Sequence, residues 1–531
     1  MNADRLPIVV GVTGHRDLRP EDTDQLKARV RDALEGTMAR CPHSPIVMLN
    51  SLAEGADQLC AAVAQEYSIP LIAALPMPLS DYERDFSPAG KEALYAFLHT
   101  AEDCFVTPAA EAAPTVPDRD FYYRQAGIYV ATHCHLLIAL WDGDERKKDG
   151  CGTAAAVHAA RFGAYTPQEG VPVRSEHNIT VCHIHAARAG TASESSGRVM
   201  QFHGAKTGFR LQRETDAWNR EAETLTASPS PLLPEGSLDP ITARLDRLYG
   251  LADAMSMRFQ KRYRCTLAIL ALCGTLLTLS FLLYDEASLH GMIFVTGLML
   301  LLMLLVRRYA VRARDHRLYL DNRVLAESLR VQAFLRYAGS AAEVSSLLPL
   351  IQQTETAWVL CVLCALSIGE PPKAAHPIRT EWVEAQRVYH EKASQKTERK
   401  LSGSDRFVSA ALIGSAALYV VTLLFELLFG GFRLLPGEPL QNADFWRSVL
   451  KILLGTLSAG TLFIASYYGK QSLSRKRADH IRMAGFYARV GEQLNRQGQT
   501  DALLVHLARE ELIENGNWYA YQSDNTPDLT L

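Results

Sequence analysis

Residues 7–16, Pro7-Ile8-Val9-Val10-Gly11-Val12-Thr13-Gly14-His15-Arg16, decide the fold. An apolar, β-branched run that ends in a glycine-rich turn reads as a buried strand opening into a loop at its C-terminal end. Four similar runs follow: PIVMLN at 45–50, IPLIAAL at 69–75, HLLIALW at 135–141 and NITVCHI at 178–184. Helical patterns at 22–38, 56–67, 121–134 and 153–162 lie between them. This alternation predicts an α/β Rossmann-like domain over residues 1–190, a parallel sheet covered by helices on both faces.

In open sheets of this kind ligands collect beyond the carboxyl ends of the strands. The first strand runs into Gly11, Thr13, Gly14, His15 and Arg16, where glycine lets backbone approach a phosphate and amides with an arginine suit an anion. The second runs into Ser51, Glu54, Gly55 and Asp57; Ser51 is placed to cap the next helix and the carboxylates to meet ribose hydroxyls. The fourth ends in Trp141-Asp142-Gly143, followed by Gly152 and Thr153 opening a helix. One such turn is more often structural than not; three at successive strand ends point to a shared ligand. His15, inside the glycine turn, is the histidine expected at that ligand. His183 and His185 point the same way from a strand but have no third ligand at sensible spacing, so they and His133 and His135 are read as structural, and no metal is expected.

Four segments are long and apolar enough for helices that cross a bilayer, which takes about 20 residues: 265–284, 289–306, 407–429 and 449–467. The second is short. Basic stretches flank them in one pattern: RFQKRYR before the first, RRYAVRARDHR after the second, KTERK before the third and GKQSLSRKR after the fourth. Positive flanks mark the cytoplasmic side, so both hairpins are expected to begin and end there. Each hairpin is preceded and followed by a helical stretch, which suggests an internal duplication. Glu426 and Lys451 fall near the outer ends of the third and fourth spans at similar depth, a candidate ion pair or pore-lining pair. Ala410, Gly414, Gly455 and Gly460 would allow close helix contact.

The remaining features set bounds. At 531 residues several domains are expected; a formal net charge of -3 gives no basic field for nucleic acid. Ten cysteines scattered through apolar runs read as reduced thiols, with Cys361 and Cys364 as core residues rather than a metal or redox pair. No signal-peptide pattern opens the chain, so the N-terminal half is expected in the cytoplasm. A Ser/Gly/Pro-rich linker with a short helix, ETDAWNREAETL, occupies 191–240. The first two-span unit covers 241–345, a connector 346–380, the second unit 381–515 and a tail 516–531. The connector's TAWVLCVLCALSIG is too short to span and is expected to pack against soluble structure.

The motifs GVTGHRDL, LNSLAEGADQLCAAVA and LIALWDG with CGTAAAV resemble the SLOG family of Rossmann-like ligand-binding domains, related to the LOG and DprA proteins, over roughly residues 5–190. The duplicated hairpins with their flanking helices resemble SLATT two-span effector domains. The resemblance implies a sensor for a nucleotide-derived signal (a cyclic nucleotide, a cyclic oligonucleotide or an ADP-ribose derivative), with no other cofactor. It also implies a homo-oligomeric, pore-forming membrane effector in antiviral defence, and a site lined by the thirteen strand-end residues from Gly11 to Thr153 named above. LOG-type hydrolases carry a catalytic glutamate three positions after the corresponding threonine, where this chain has Ala156, so the resemblance favours binding over cleavage. The alternative is a membrane-anchored nucleotide-processing enzyme. A housekeeping transporter fits less well, because the spans lack the broken helices and mid-membrane polar groups that coordinate substrates.

Overall fold

In a computed structural model the chain is described over residues 4–108, 118–147, 150–163, 179–190, 196–202, 209–225, 231–234, 238–429, 442–469 and 472–524. It divides into two compact units. The first comprises Met1–Met255, Asp321–Pro377 and Gln499–Ala520, the second Ser256–Leu320, Ile378–Gly498 and Tyr521–Leu531.

The first unit is built on seven strands: β1 Ile8–Gly14, β2 Ile46–Asn50, β3 Leu71–Leu75, β4 Asp103–Val106, β5 Leu136–Trp141, β6 Thr180–His185 and β7 Val199–Phe202. They line up as β4-β3-β2-β1-β5-β6-β7, all parallel except the final β6–β7 pair. The five strands expected from sequence are present. β4 and β7 are additions, both at edges. Around the sheet lie α1 Thr23–Arg40, α2 Ala56–Glu66, the short α3 Leu79–Tyr82, α4 Pro88–Thr100, α5 Arg119–Thr132, α6 Thr153–Phe162 and α7 Arg210–Ala222. Among these α3 and α4 were not anticipated, although Ser87 caps α4 and Pro88 opens it, both recognised start signals.

Alternation along β1 divides the core. Ile8, Val10 and Val12 face a cluster with Leu26, Val30 and Leu34 of α1 and with Leu59, Cys60 and Val63 of α2. Val9, Val47 and Leu49 face the opposite cluster with Ile128 and Val130 of α5 and Val157 of α6. Both faces are thus buried, which is why the strands read as continuous apolar runs.

The helix expected in the linker is α7, and it is pinned to the sheet unit. Asn219 accepts from the Leu6 N–H at 2.8 Å and donates to the Leu6 carbonyl at 2.9 Å, and Asp216 accepts from the His43 N–H and the Ser44 hydroxyl, each at 2.9 Å. Linker residues 191–195, 203–208, 226–230 and 235–237 lie outside the described residues, as does most of the loop from Gly430 to Ser448.

The long helices are α8 Pro240–Glu286, α9 Met292–Ala313 and α10 Asp315–Tyr337; after the short α11 Val344–Leu347, α12 Leu350–Glu355 and the apolar α13 Ala357–Leu366 come α14 Ala385–Leu428, α15 Ala443–Gly469, α16 Leu473–Gln497 and α17 Asp501–Asp524. α13 is buried from Trp358 to Leu366; Ala365 and the following Ile368 join the sheet's second core cluster, so the connector's apolar stretch covers the sheet.

Four helices are long and apolar enough to cross a membrane. Their apolar side chains point outward: Phe294 is 81 % exposed, Leu462 71 % and Ile413 69 %. In water so many exposed large apolar groups would be costly, at about 25 cal/mol per Å²; in lipid they are at home. Within the second unit the span-bearing parts pack through small residues. Gly274 of α8 lies under Phe463 of α15, Gly455 of α15 under Leu282 of α8, and Gly460 against Thr275. Ser280 and Thr296 hydroxyls hydrogen-bond between α8 and α9 at 2.9 Å.

The two hairpins match element for element. Helices of 47, 22 and 23 residues make the first set and helices of 44, 27 and 25 the second. In each set one non-glycine residue in the left-handed region precedes the third helix, Arg314 (φ 52) before α10 and Ser472 (φ 51) before α16. Such residues are uncommon, and here they hold equivalent places in the two sets.

Candidate functional site

The strand order places the topological switch at β1. From β1 the chain builds outward through β2, β3 and β4, then returns through α5 to lay β5 on the other side of β1. The crevice beyond the carboxyl ends of β1 and β5 is where ligands bind in this architecture.

Gly14 pairs in register with Leu140. A Cβ there would come within 2.7 Å of the Leu140 carbonyl oxygen and collide with Ala56, so the glycine brings α2 and β5 together. His15 follows, buried at 6 % exposure. Asp142, just beyond β5, presents both its amide nitrogen, 3.0 Å away, and its carboxylate, 3.3 Å away, to His15 Nε2. On the other edge the Arg188 guanidinium lies 3.2 Å from Nδ1 and also approaches the Asp142 carboxylate at 3.6 Å. Burial holds the His15 imidazole below its ordinary pKa; the Arg188 charge adds to this and Asp142 opposes it. Asp142 stays below the usual carboxylate range: burial pushes it up, but the Asp144 N–H, His15 and Arg188 together outweigh that. Arg188, three residues past β6, was missed in the sequence; its signal was the end of that strand, HIHAAR, beside β5 at the switch point.

A second pole gathers around Arg16. Its exposed guanidinium lies 5.2 Å from the Phe86 ring centre and 5.8 Å from that of Tyr123, and donates to the Asp85 carbonyl at 3.3 Å. The Asp85 carboxylate takes hydrogen bonds from Tyr123 and Arg119. Asp57, in the first turn of α2, is buried at 6 % exposure and accepts from the Ala53 N–H at 3.3 Å. Burial pushes its carboxyl up to about 7, against the Ala53 N–H and the Arg16 charge. Gly55 has φ 83, and a Cβ there would lie 2.5 Å from the His15 carbonyl oxygen, so the turn before α2 needs glycine to close on the β1 loop.

Other expected site residues have structural employment. Gly11 lies within β1, where a Cβ would meet Cys134 Sγ at 2.9 Å. Glu54 turns away to bind the N-terminus of α4, accepting from the Ser87 N–H at 2.8 Å and the Ser87 hydroxyl at 2.6 Å. Ser51 makes no cap for α2, whose N-cap is Gly55; its carbonyl accepts from the Tyr82 hydroxyl at 3.1 Å. Thr13 sits half-buried at the end of β1, opposite Ala139. Gly143 has φ 82 and packs on His183, whose Nε2 lies 3.0 Å from the Trp141 carbonyl oxygen. Gly152 is the N-cap of α6, with open space where a Cβ would be and no side-chain cap of its own; Thr153 is buried behind it. Ala156, where the LOG pattern has its acid, is buried against Gly127 of α5, inside the core rather than at the crevice.

The pairing anticipated between Glu426 and Lys451 is replaced by two other ion pairs. Glu426 takes a bidentate hydrogen bond from Arg447, at 2.6 and 3.2 Å, and Lys451 binds Glu286 at the end of α8, at 3.0 and 3.2 Å. Arg447 lies one helical turn before Lys451 and faces α14, whereas Lys451 faces α8.

Fold and site together define an α/β Rossmann-like domain carried by a chain with four potential membrane spans. The chain matches no known family model and no curated protein.

Proposed function

We propose that this chain is a membrane effector whose sheet domain binds a nucleotide-derived signal and whose helices, as a homo-oligomer, form or gate a pore, a role suited to antiviral defence. The observation that carries the reading is the switch-point crevice. A glycine turn, an exposed arginine, a histidine and the glycine-capped start of α6 follow the carboxyl ends of β1 and β5, chemistry suited to a phosphate and a ribose. The four spans support the membrane part. A hundredfold preference of the ligand for one conformation would supply about 2.7 kcal/mol per site, and coupled sites in an oligomer multiply it.

Thermal-shift titration of the purified protein against cyclic nucleotides, cyclic oligonucleotides and ADP-ribose derivatives tests the sensor, with ligand integrity followed by chromatography. Stabilisation by one intact ligand supports it; no stabilisation by any member of the panel counts against it. Asp57, with its carboxyl near neutrality, is the one observation that favours the anchored-enzyme alternative, since a general acid or base works best with a pKa close to the working pH. Ligand consumption that Asp57→Asn abolishes would move the reading there.

A further inference from the structure

The second unit carries a concentration of cations that the sensor reading does not use. A shallow, open groove of about 500 Å³ along one face of α14 is lined by Lys392, Gln395, Lys396, Arg399 and Lys400. Lys400 lies seven residues before the apolar stretch that starts at Phe407, or about 10 Å along a helix. Arg264 stands immediately before the first apolar stretch, on α8, and Lys476 follows the fourth, on α16. Three helices therefore bring cations to the same end of the bundle. Of the carboxylates on α14 nearest the groove, Glu398 pairs with Arg477 at 3.2 Å and Glu391 with Arg387 at 2.6 Å, while Asp405 lies exposed five residues beyond Lys400, toward the apolar stretch. Among the described residues none of the six cations forms an ion pair.

We infer that Lys396, Arg399, Lys400, Arg264 and Lys476 form a phosphate-binding site at the headgroup level of the bilayer, filled by an anionic phospholipid. Like charges held together repel one another, and the cost shows. Burial, then Arg264 and Lys400, pushes the Lys476 ammonium down to about 8, and Lys400 is lowered by burial, Arg264 and Lys396. A phosphodiester would relieve that repulsion, and basic pockets between membrane helices are where anionic headgroups are held. General attraction of a basic flank to the membrane would need neither the groove nor the convergence of three helices. The inference rests on the membrane placement of the helices and is independent of the ligand of the sheet domain.

The test is native mass spectrometry of the full-length protein in neutral detergent, titrated with phosphatidylglycerol or phosphatidylcholine, with inorganic phosphate as competitor. Phosphatidylglycerol should be retained over phosphatidylcholine, and K396Q/R399Q/K400Q should weaken it roughly tenfold or more. K396R/K400R should retain binding, which separates charge from folding. R307Q/R308Q/R312Q, which neutralises the basic flank after the second span, should leave it within about twofold. Equal retention of the two lipids, or equal losses in the two triple variants, would overturn the site. Displacement of the lipid by millimolar phosphate would overturn the lipid as its occupant.

Discussion

His15 Nε2 stands 3.0 Å from the amide nitrogen of Asp142, tying the loop after β1 to the loop after β5 across the switch point. Replacing His15 by Ala removes this tie and the Arg188 contact at 3.2 Å, at a cost of roughly 1–3 kcal/mol for the buried groups left unsatisfied. A fall in melting temperature together with loss of ligand binding is expected. Because burial holds the folded-state pKa below 6.5, the neutral ring's contribution is complete above pH 6.5 and is lost as pH falls through the folded value. Melting curves of wild type and His15→Ala should therefore converge on acidification below pH 6.5.

Asp57 has the opposite sign. Its carboxyl is raised from 3.8 to about 7 by burial, so the folded state binds the proton more tightly. That stabilisation is complete below pH 3.8 and is lost as pH rises to about 7. Asp57→Asn keeps an acceptor for the Ala53 N–H and removes the ionisation. It should flatten the dependence of melting temperature on pH between 4 and 7 and make the variant the more stable of the two at pH 8; an unchanged slope would contradict the buried-acid assignment.

Arg16 and Gly14 should separate binding from folding. Arg16 is exposed, so Arg16→Glu should leave the melting temperature within a few degrees while abolishing anion binding, measured by calorimetry. Gly14→Ala should instead destabilise by roughly 1–3 kcal/mol through overpacking against Leu140 and Ala56.

Near the ends of the apolar helices, the Glu286–Lys451 and Glu426–Arg447 contacts predict coupling within each pair and none between Glu426 and Lys451. Double-mutant cycles on thermal stability in detergent should show about 0.2–1 kcal/mol for each observed pair. Coupling between Glu426 and Lys451 instead would restore the pairing read from depth alone.

Which parts were legible in the sequence follows from burial. β1, β2, β3, β5 and β6 are covered on both faces and announce themselves as apolar runs. β4 and β7 are four-residue edge strands, and Val106, Val199 and Met200 remain 37–44 % exposed, so neither run is apolar enough to stand out. The glycine turn after β1 and the Asp142-Gly143 turn were readable because their residue types follow from backbone geometry. Glu54 was not, since its partner Ser87 lies 33 residues away. Arg188 reaches His15 from 173 residues along the chain, and only the strand order brings them together. Pairing Glu426 with Lys451 failed because depth along a helix leaves its rotation open, and one turn earlier Arg447 faces the carboxylate.

The most direct test of ligand-gated membrane action is dye release from liposomes holding the purified protein, wild type and Arg16→Glu side by side, exposed to the nucleotide that stabilises the sheet domain. Release from wild type on ligand addition, with silence from Arg16→Glu inserted to the same level, is the predicted result. Equal release from both proteins, or none from wild type at saturating ligand, would contradict it.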